Sequence, residues 1–168
     1  MRQNGVRKSM EKFDFIQMSV PAKPEYVGVI RLTISGIASR MDFSYDDIED
    51  IKVAVSEAAT NVVSHAYEGE GKGDLTLGFG VYDDRLEIMV SDQGESFNYD
   101  EVKERIGPVS KKEQVSPITE IREGGFGLFL INTLMDEVQI NNKYGVIVLM
   151  TKYLDETEVT LHEQVPTE

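Results

Sequence analysis

Cysteine and tryptophan are absent from this 168-residue chain, and histidine occurs only at His65 and His162. Without a thiol there is no disulfide framework, no thiolate zinc site and no cysteine nucleophile. Two histidines so far apart in sequence give a histidine metal site no support, and both read as structural or solvated. Basic residues are scarce as well: 17 Lys and Arg face 30 Asp and Glu, a net charge of −13. A surface that negative repels nucleic acid and anionic lipid, whose binding depends on Lys and Arg displacing counterions. The expected partners are therefore proteins or small ligands, with no direct nucleic acid and no membrane. The aromatic residues have no basic residues interleaved among them and read as core rather than base-stacking platforms. Long apolar runs are missing too, Val146 to Met150 being typical, far below the roughly 20 residues of a membrane span. Met1 to Lys12 carries charge without an apolar stretch, so no signal peptide is expected. Together these absences predict a soluble, cytoplasmic protein, with Met10 as an alternative start.

What is present fits one globular domain: apolar residues make up 40% and charged residues 28%, enough of each for a core and a solvated surface. Phe13 to Val20 lacks a clean polar face and predicts a strand buried on much of both sides, stopped by Pro21 and Pro24. Val27, Ile30, Ile34, Ile37 and Met41 recur at helical spacing, predicting a helix from Glu25 to about Arg40. Ser44 is a good N-cap for a second helix reaching about Tyr67, with Asp46 and Asp47 at the positive end of its dipole. Asp74 to Tyr82 and Leu86 to Ser91 predict a β-hairpin around Asp83-Asp84. The stretch 95–123 holds two prolines and no sustained periodicity. Connections longer than about 12–15 residues are usually lids or disordered. Phe126 to Leu134 then reads as a helix and Glu137 to Asn141 and Val146 to Tyr153 as strands. From Asp155 onward there are five acids and no Lys or Arg, the composition of a frayed tail. The expected divisions are a flexible extension over 1–12, a domain over 13–154 with its lid at 95–123, and an acidic tail over 155–168. Strands and helices are mixed rather than strictly alternating, which favours a two-layer α/β sandwich over a doubly wound parallel sheet.

Three short patterns carry possible chemistry. On the second helix, Glu57 and Asn61 lie four residues apart at the edge of an apolar face running from Ile48 to Ala66. A carboxylate there can accept a proton, and a carboxamide oxygen can ligate Mg²⁺, which prefers hard oxygen donors. The alternative is a polar pair at the rim of an amphipathic helix. Asp92-Gln93-Gly94 follows a strand. Its aspartate can accept from an exocyclic amino group, and Gly94 lets a planar ring approach the backbone; the alternative is a plain turn. Gly124-Gly125-Phe126-Gly127-Leu128 precedes a helix, where backbone amides can converge on phosphate oxygens, or where the glycines form a hinge.

The order of these patterns is more restrictive than any one of them. Glu-x-x-x-Asn on a helix, Asp-x-Gly after a strand and Gly-x-Gly at a helix start resembles the Bergerat (GHKL, histidine-kinase-like) ATP-binding fold of gyrase, histidine kinases and MutL. That fold is an α/β sandwich with a mixed, mostly antiparallel sheet. The text from Val55 to Asn61, followed by His65-Ala66-Tyr67, and the stretch from Arg122 to Val138 narrow the resemblance to the anti-sigma-factor serine-protein kinases of Gram-positive bacteria, over roughly 13–154.

The resemblance implies an enzyme that uses ATP and Mg²⁺ to phosphorylate a serine of an anti-anti-sigma factor. It also implies that the protein sequesters an alternative, general-stress sigma factor of the sigma-B type and forms a homodimer. By motif, Asn61 holds Mg²⁺, Asp92 and Gly94 meet adenine, and Gly124, Gly125 and Gly127 border the phosphates. Thr151 matches a threonine that supports adenine, and Glu57 becomes the general base. Arg122, two residues before the glycines, can reach the terminal phosphate by a charge-assisted contact, or is a solvated surface arginine. Two rival readings are a nucleotide-dependent partner-binding module without catalysis and an ATP hydrolase acting on water.

Overall fold

The computed structural model describes residues 11–68, 73–92, 125–141 and 147–155. The expected lid, most of the extension before β1 and the tail beyond Asp155 lie outside those residues. Strand β1 (Asp14–Pro21) leads through a 3-10 turn (Pro24–Tyr26) into helices α1 (Val27–Arg40) and α2 (Tyr45–Glu68). Strands β2 (Asp74–Val81) and β3 (Arg85–Ser91) form the predicted hairpin. Helix α3 (Gly125–Leu134) is followed by β4 (Glu137–Asn141) and β5 (Ile147–Tyr153). The five strands form one sheet in the order β1-β2-β3-β5-β4, antiparallel at every described pairing. No helix among the described residues is long and apolar enough to cross a membrane.

Side-chain alternation assigns the two faces of the sheet. Leu75, Leu77 and Phe79 of β2, Leu86, Ile88 and Val90 of β3, and Val148 and Met150 of β5 share the main core with the helices. The helices contribute Ile30 and Ile34 from α1, Ile51, Val55, Ala58, Ala59 and Val62 from α2, and Ile131 from α3. Met89 and Leu149, at the intervening positions, form a smaller cluster on the opposite face with Phe13 and Ile147. The architecture is the expected two-layer α/β sandwich, with β3 buried from Leu86 to Ser91 at its centre.

β1 departs from expectation. It was predicted to be buried on much of both sides, yet among its eight residues only Val20 is buried, and Phe15 and Ile16 are exposed. The reason is its place at the sheet edge, with a single neighbouring strand. Mixed apolar and polar positions signalled weak patterning rather than double burial. Phe15 is still anchored, because its ring lies across the bare backbone of Gly78, where a Cβ would stand 2.9 Å from Phe15 Cζ. Before β1, Glu11 reaches Arg85 at 2.6 Å, and Phe13 stacks on Tyr82 with centroids 4.7 Å apart. Arg85 also bonds Asp84 and Glu87 and sits over the Tyr82 ring. Burial works against its charge, but hydrogen bonds to Glu11, Glu87 and Asp84 outweigh it and hold the guanidinium above its ordinary range.

The junction between α1 and α2 follows from local chemistry. Phe43 N donates to Ala38 O and Asp42 N to Ser39 O, the paired bonds of a Schellman ending. Asp42 occupies the left-handed position at φ 62°, which a short polar side chain tolerates. Phe43 then drops into the core beside Ala38. Ser44 Oγ accepts from Asp47 N at 3.1 Å, the predicted cap. Losing that acceptor orphans an amide at the start of the 24-residue helix that carries the site. Ser44→Ala is expected to cost about 1 kcal/mol and to lower the thermal midpoint by about 2–4 °C, read by circular dichroism.

Candidate active site

Helix α2 turns its apolar stripe, Ile51, Val55, Ala58, Ala59 and Val62, into the core, all fully buried. Glu57 and Asn61 lie on the flank of that stripe, half-buried and one turn apart, so their polar ends address one place. Helix α3 lies against the same flank. At its third residue, Gly127, an added Cβ would stand 3.0 Å from Glu57 Oε2 and 3.3 and 3.5 Å from the two polar atoms of the Asn61 carboxamide. α3 therefore meets the polar pair with bare backbone, and a side chain there would require Glu57 and Asn61 to give way. Two motifs 66 residues apart in sequence become a single constellation.

Gly125 and Gly127 are the first and third residues of α3. The amides of a helix's first turn have no intrahelical acceptor, and the dipole there favours negative charge. A carboxylate, a carboxamide and the positive end of a helix thus converge at one point. That donor set suits Mg²⁺ carried by a phosphate group: Mg²⁺ takes one or two side-chain oxygens and completes its shell with water and phosphate oxygens. It does not suit an all-protein metal cage, and no cluster of three or more His, Asp or Glu fit for one exists among the described residues.

Asp92 follows β3, half-buried. Alternation carries the helix-facing row of Leu86, Ile88 and Val90 on to Asp92, whereas Ser91, fully buried, belongs to the other face. Asp92 thus leaves the sheet on the side where α2 and α3 lie. Thr151 does not join it, and here the sequence expectation is corrected. Thr151 pairs with Glu87 on β3, while Ser91 pairs with Ile147, so four register steps, roughly 13 Å, separate Thr151 from the Asp92 end of the ladder. Thr151 also shares the face of Leu149, away from the helices. Motif position alone carried that assignment. The alternation of Val148 and Met150 into the core was the signal against it. Gly94, Arg122 and Gly124 lie outside the described residues. Motif reading passed over Lys152, a charged residue buried where the core-facing row of β5 calls for an apolar one.

The contact at Gly127 is directly testable. Alanine is worth about 0.5–1 kcal/mol over glycine within a helix, and the atom it would meet is the mobile end of Glu57. Gly127→Ala is therefore expected to fold with a thermal midpoint no lower than wild type, and a crystal structure should show the Glu57 carboxylate displaced from α3. An unmoved carboxylate would contradict the close approach.

The model of the histidine kinase-like ATPase domain matches residues 20–152, from the end of β1 into β5. Among curated proteins, the serine-protein kinase RsbW of Oceanobacillus iheyensis is 56% identical over 154 residues, covering 92% of this chain and 96% of that protein. The serine-protein kinase RsbW of Bacillus subtilis is 54% identical, covering 84% and 87%. That of Bacillus mycoides is 53% identical, covering 89% and 91%. With the fold, the helix pair and near full-length identity in agreement, this chain belongs to the histidine kinase-like ATPase domain family and, within it, to the RsbW serine-protein kinases.

Proposed function

We propose that this protein transfers the γ-phosphoryl group of Mg-ATP to a serine of an anti-anti-sigma factor and alternatively holds a sigma-B type sigma factor inactive. The observation that supports this reading most is the meeting of Glu57, Asn61 and Gly127. Phosphoryl transfer asks a protein mainly for positioning and charge stabilisation, plus a group to take the hydroxyl proton. Bound Mg-ATP supplies the phosphoryl group and the metal charge that offsets its oxygens. Glu57 accepts the serine hydroxyl proton as the serine Oγ–P bond forms and the bond from P to the bridging oxygen of ADP breaks. Asn61 offers its carboxamide oxygen to the metal. The amides at Gly124, Gly125 and Gly127 border the phosphates, Arg122 reaches the terminal one, and Asp92 with Gly94 receives the adenine.

The charge of −13 supports a partner that is itself basic, as a nucleic-acid-binding transcription factor is. Homodimerisation and a cytoplasmic location belong to the same proposal, on the strength of the family.

The test is transfer of radiolabelled γ-phosphate from Mg-ATP to a panel of small anti-anti-sigma proteins. Glu57→Gln keeps the shape of the side chain and loses the base. The rate is expected to fall by about 10²–10⁴-fold with nucleotide affinity little changed. Label that persists in the variant would place the base elsewhere. Normal ATP binding with no labelled acceptor in the wild type would favour the binding module without catalysis.

A further inference from the structure

Lys152 is 9% exposed, and its neighbours on the helix-facing row of β5, Val148 and Met150, are core residues. A buried ammonium has to be compensated, and this one is. Its Nζ donates to Leu134 O at 2.8 Å and lies 3.5 Å from Asp47 Oδ1. Leu134 is the last residue of α3, a helix with no basic residue in its own last turn. Its carbonyl is one of the orphan acceptors at a helix C-terminus, where a cation is also favoured by the dipole. Asp47 is in the first turn of α2, where its own amide is bonded to the Ser44 cap. One side chain on an interior strand therefore clamps the end of α3 to the start of α2.

The location gives that clamp a consequence. α2 and α3 run side by side in opposite directions, because Asp47 is near Leu134 at one end and Glu57 and Asn61 are near Gly127 at the other. Seven residues, about 10 Å of helix, separate Leu134 from Gly127. A methyl added at Gly127 would already press on Glu57 and Asn61, so a slide or roll of α3 changes where its first amides stand relative to that pair. The apolar packing of Ile131 fixes how deep α3 sits. Leu128 and Leu134 pack against the core as well, and to this non-directional packing the bond from a charged donor adds a directional restraint.

We propose that Lys152 is a positioning residue for the nucleotide site: by clamping Leu134 to Asp47 it sets the register of α3 on α2, and with it the geometry at Gly127. This rests on the reading of Glu57, Asn61 and Gly127 as the Mg-ATP site.

The test measures Mg-ATP dissociation constants and kinase KM and kcat on the full chain for wild type, Lys152→Met, Gly127→Ala and the double variant, with Lys152→Arg as the conservative control. Lys152→Met is expected to weaken Mg-ATP binding about tenfold while folded, and Lys152→Arg to recover to within about threefold. A purely structural role would lower kcat through loss of folded protein and leave KM and the dissociation constant unchanged, and that result would overturn the proposal. Residues this far apart normally act independently. If Lys152 sets the position of α3, a loosened helix accommodates the Gly127→Ala methyl, and the double variant loses at least threefold less affinity than the product of the single losses. Simple multiplication overturns the positioning role alone, whereas Gly127→Ala binding Mg-ATP as wild type does overturns the site reading and the positioning role together. Lys152 lines a recess with Asp47, Asp136, Glu137 and Asp155, so its removal leaves a cluster of acids. Should Lys152→Met fail to fold, Lys152→Gln, which keeps a donor for Leu134 O, enters the same cycle under the same criteria.

Discussion

The close contact between the backbone at Gly127 and the polar pair Glu57 and Asn61 is the constraint around which the rest of the described structure is arranged. A carboxylate and a carboxamide on the flank of a buried helix are costly unless something polar or solvated receives them. Bringing a helix N-terminus there supplies orphan amides and a favourable field, and glycine at the point of approach leaves the pair undisplaced. The supporting core follows from that demand. Ala58 and Ala59, fully buried on α2, keep the helix surface low, and Ile131 gives α3 its own anchor. The antiparallel sheet presents a continuous apolar floor on which both helices rest.

Most of that floor was legible in the sequence because it rests on local rules. The Ser44 cap, the hairpin around Asp83-Asp84 and the periodicity of α2 each depend on residues within a few positions of one another. What was illegible depends on neighbours distant in sequence. Whether Phe15 and Ile16 are covered depends on where β1 falls in the sheet order, which no pattern within β1 records. Thr151 was misassigned because a motif fixes a position in sequence, while register and alternation fix the direction of a side chain. The resemblance brought Gly127 and Glu57 to one site, but the direct approach of one to the other was invisible for the same reason. Each motif was readable, and the packing of α3 on α2 supplies the contact between them.

Two charged clusters show how differently burial treats the same kind of contact. Arg85 gathers Glu11, Asp84 and Glu87 around itself, but Glu11 and Asp84 are mostly exposed, so their contribution is screened and only the Glu87 pair is substantially desolvated. That network ties the chain before β1 to the hairpin and leaves the site untouched. Lys152 has fewer partners and more influence. One of them is a backbone carbonyl at the end of a helix, so the contact constrains a whole element rather than another mobile side chain. In a protein with 30 acidic residues, a basic side chain directed inward to a helix terminus marks a place where position matters more than surface charge.

The donor set also bears on how nucleotide and metal would arrive. On the proposed reading the protein offers Mg²⁺ one carboxamide oxygen, with the Glu57 carboxylate nearby as the base, and the described residues contain no group of three or more acidic or imidazole side chains to complete a shell. A single side-chain oxygen holds a strongly hydrated ion poorly, because Mg²⁺ surrenders its waters reluctantly and requires near-octahedral geometry. Phosphate oxygens supply the missing ligands. Metal affinity then depends on bound nucleotide, and nucleotide affinity on metal by the same factor, since coupling between two ligands is reciprocal. A site of this kind has little use for free Mg²⁺. The helix pair that positions Asn61 beside the α3 amides serves metal and phosphate together, which is why a shift of α3 would be felt by both.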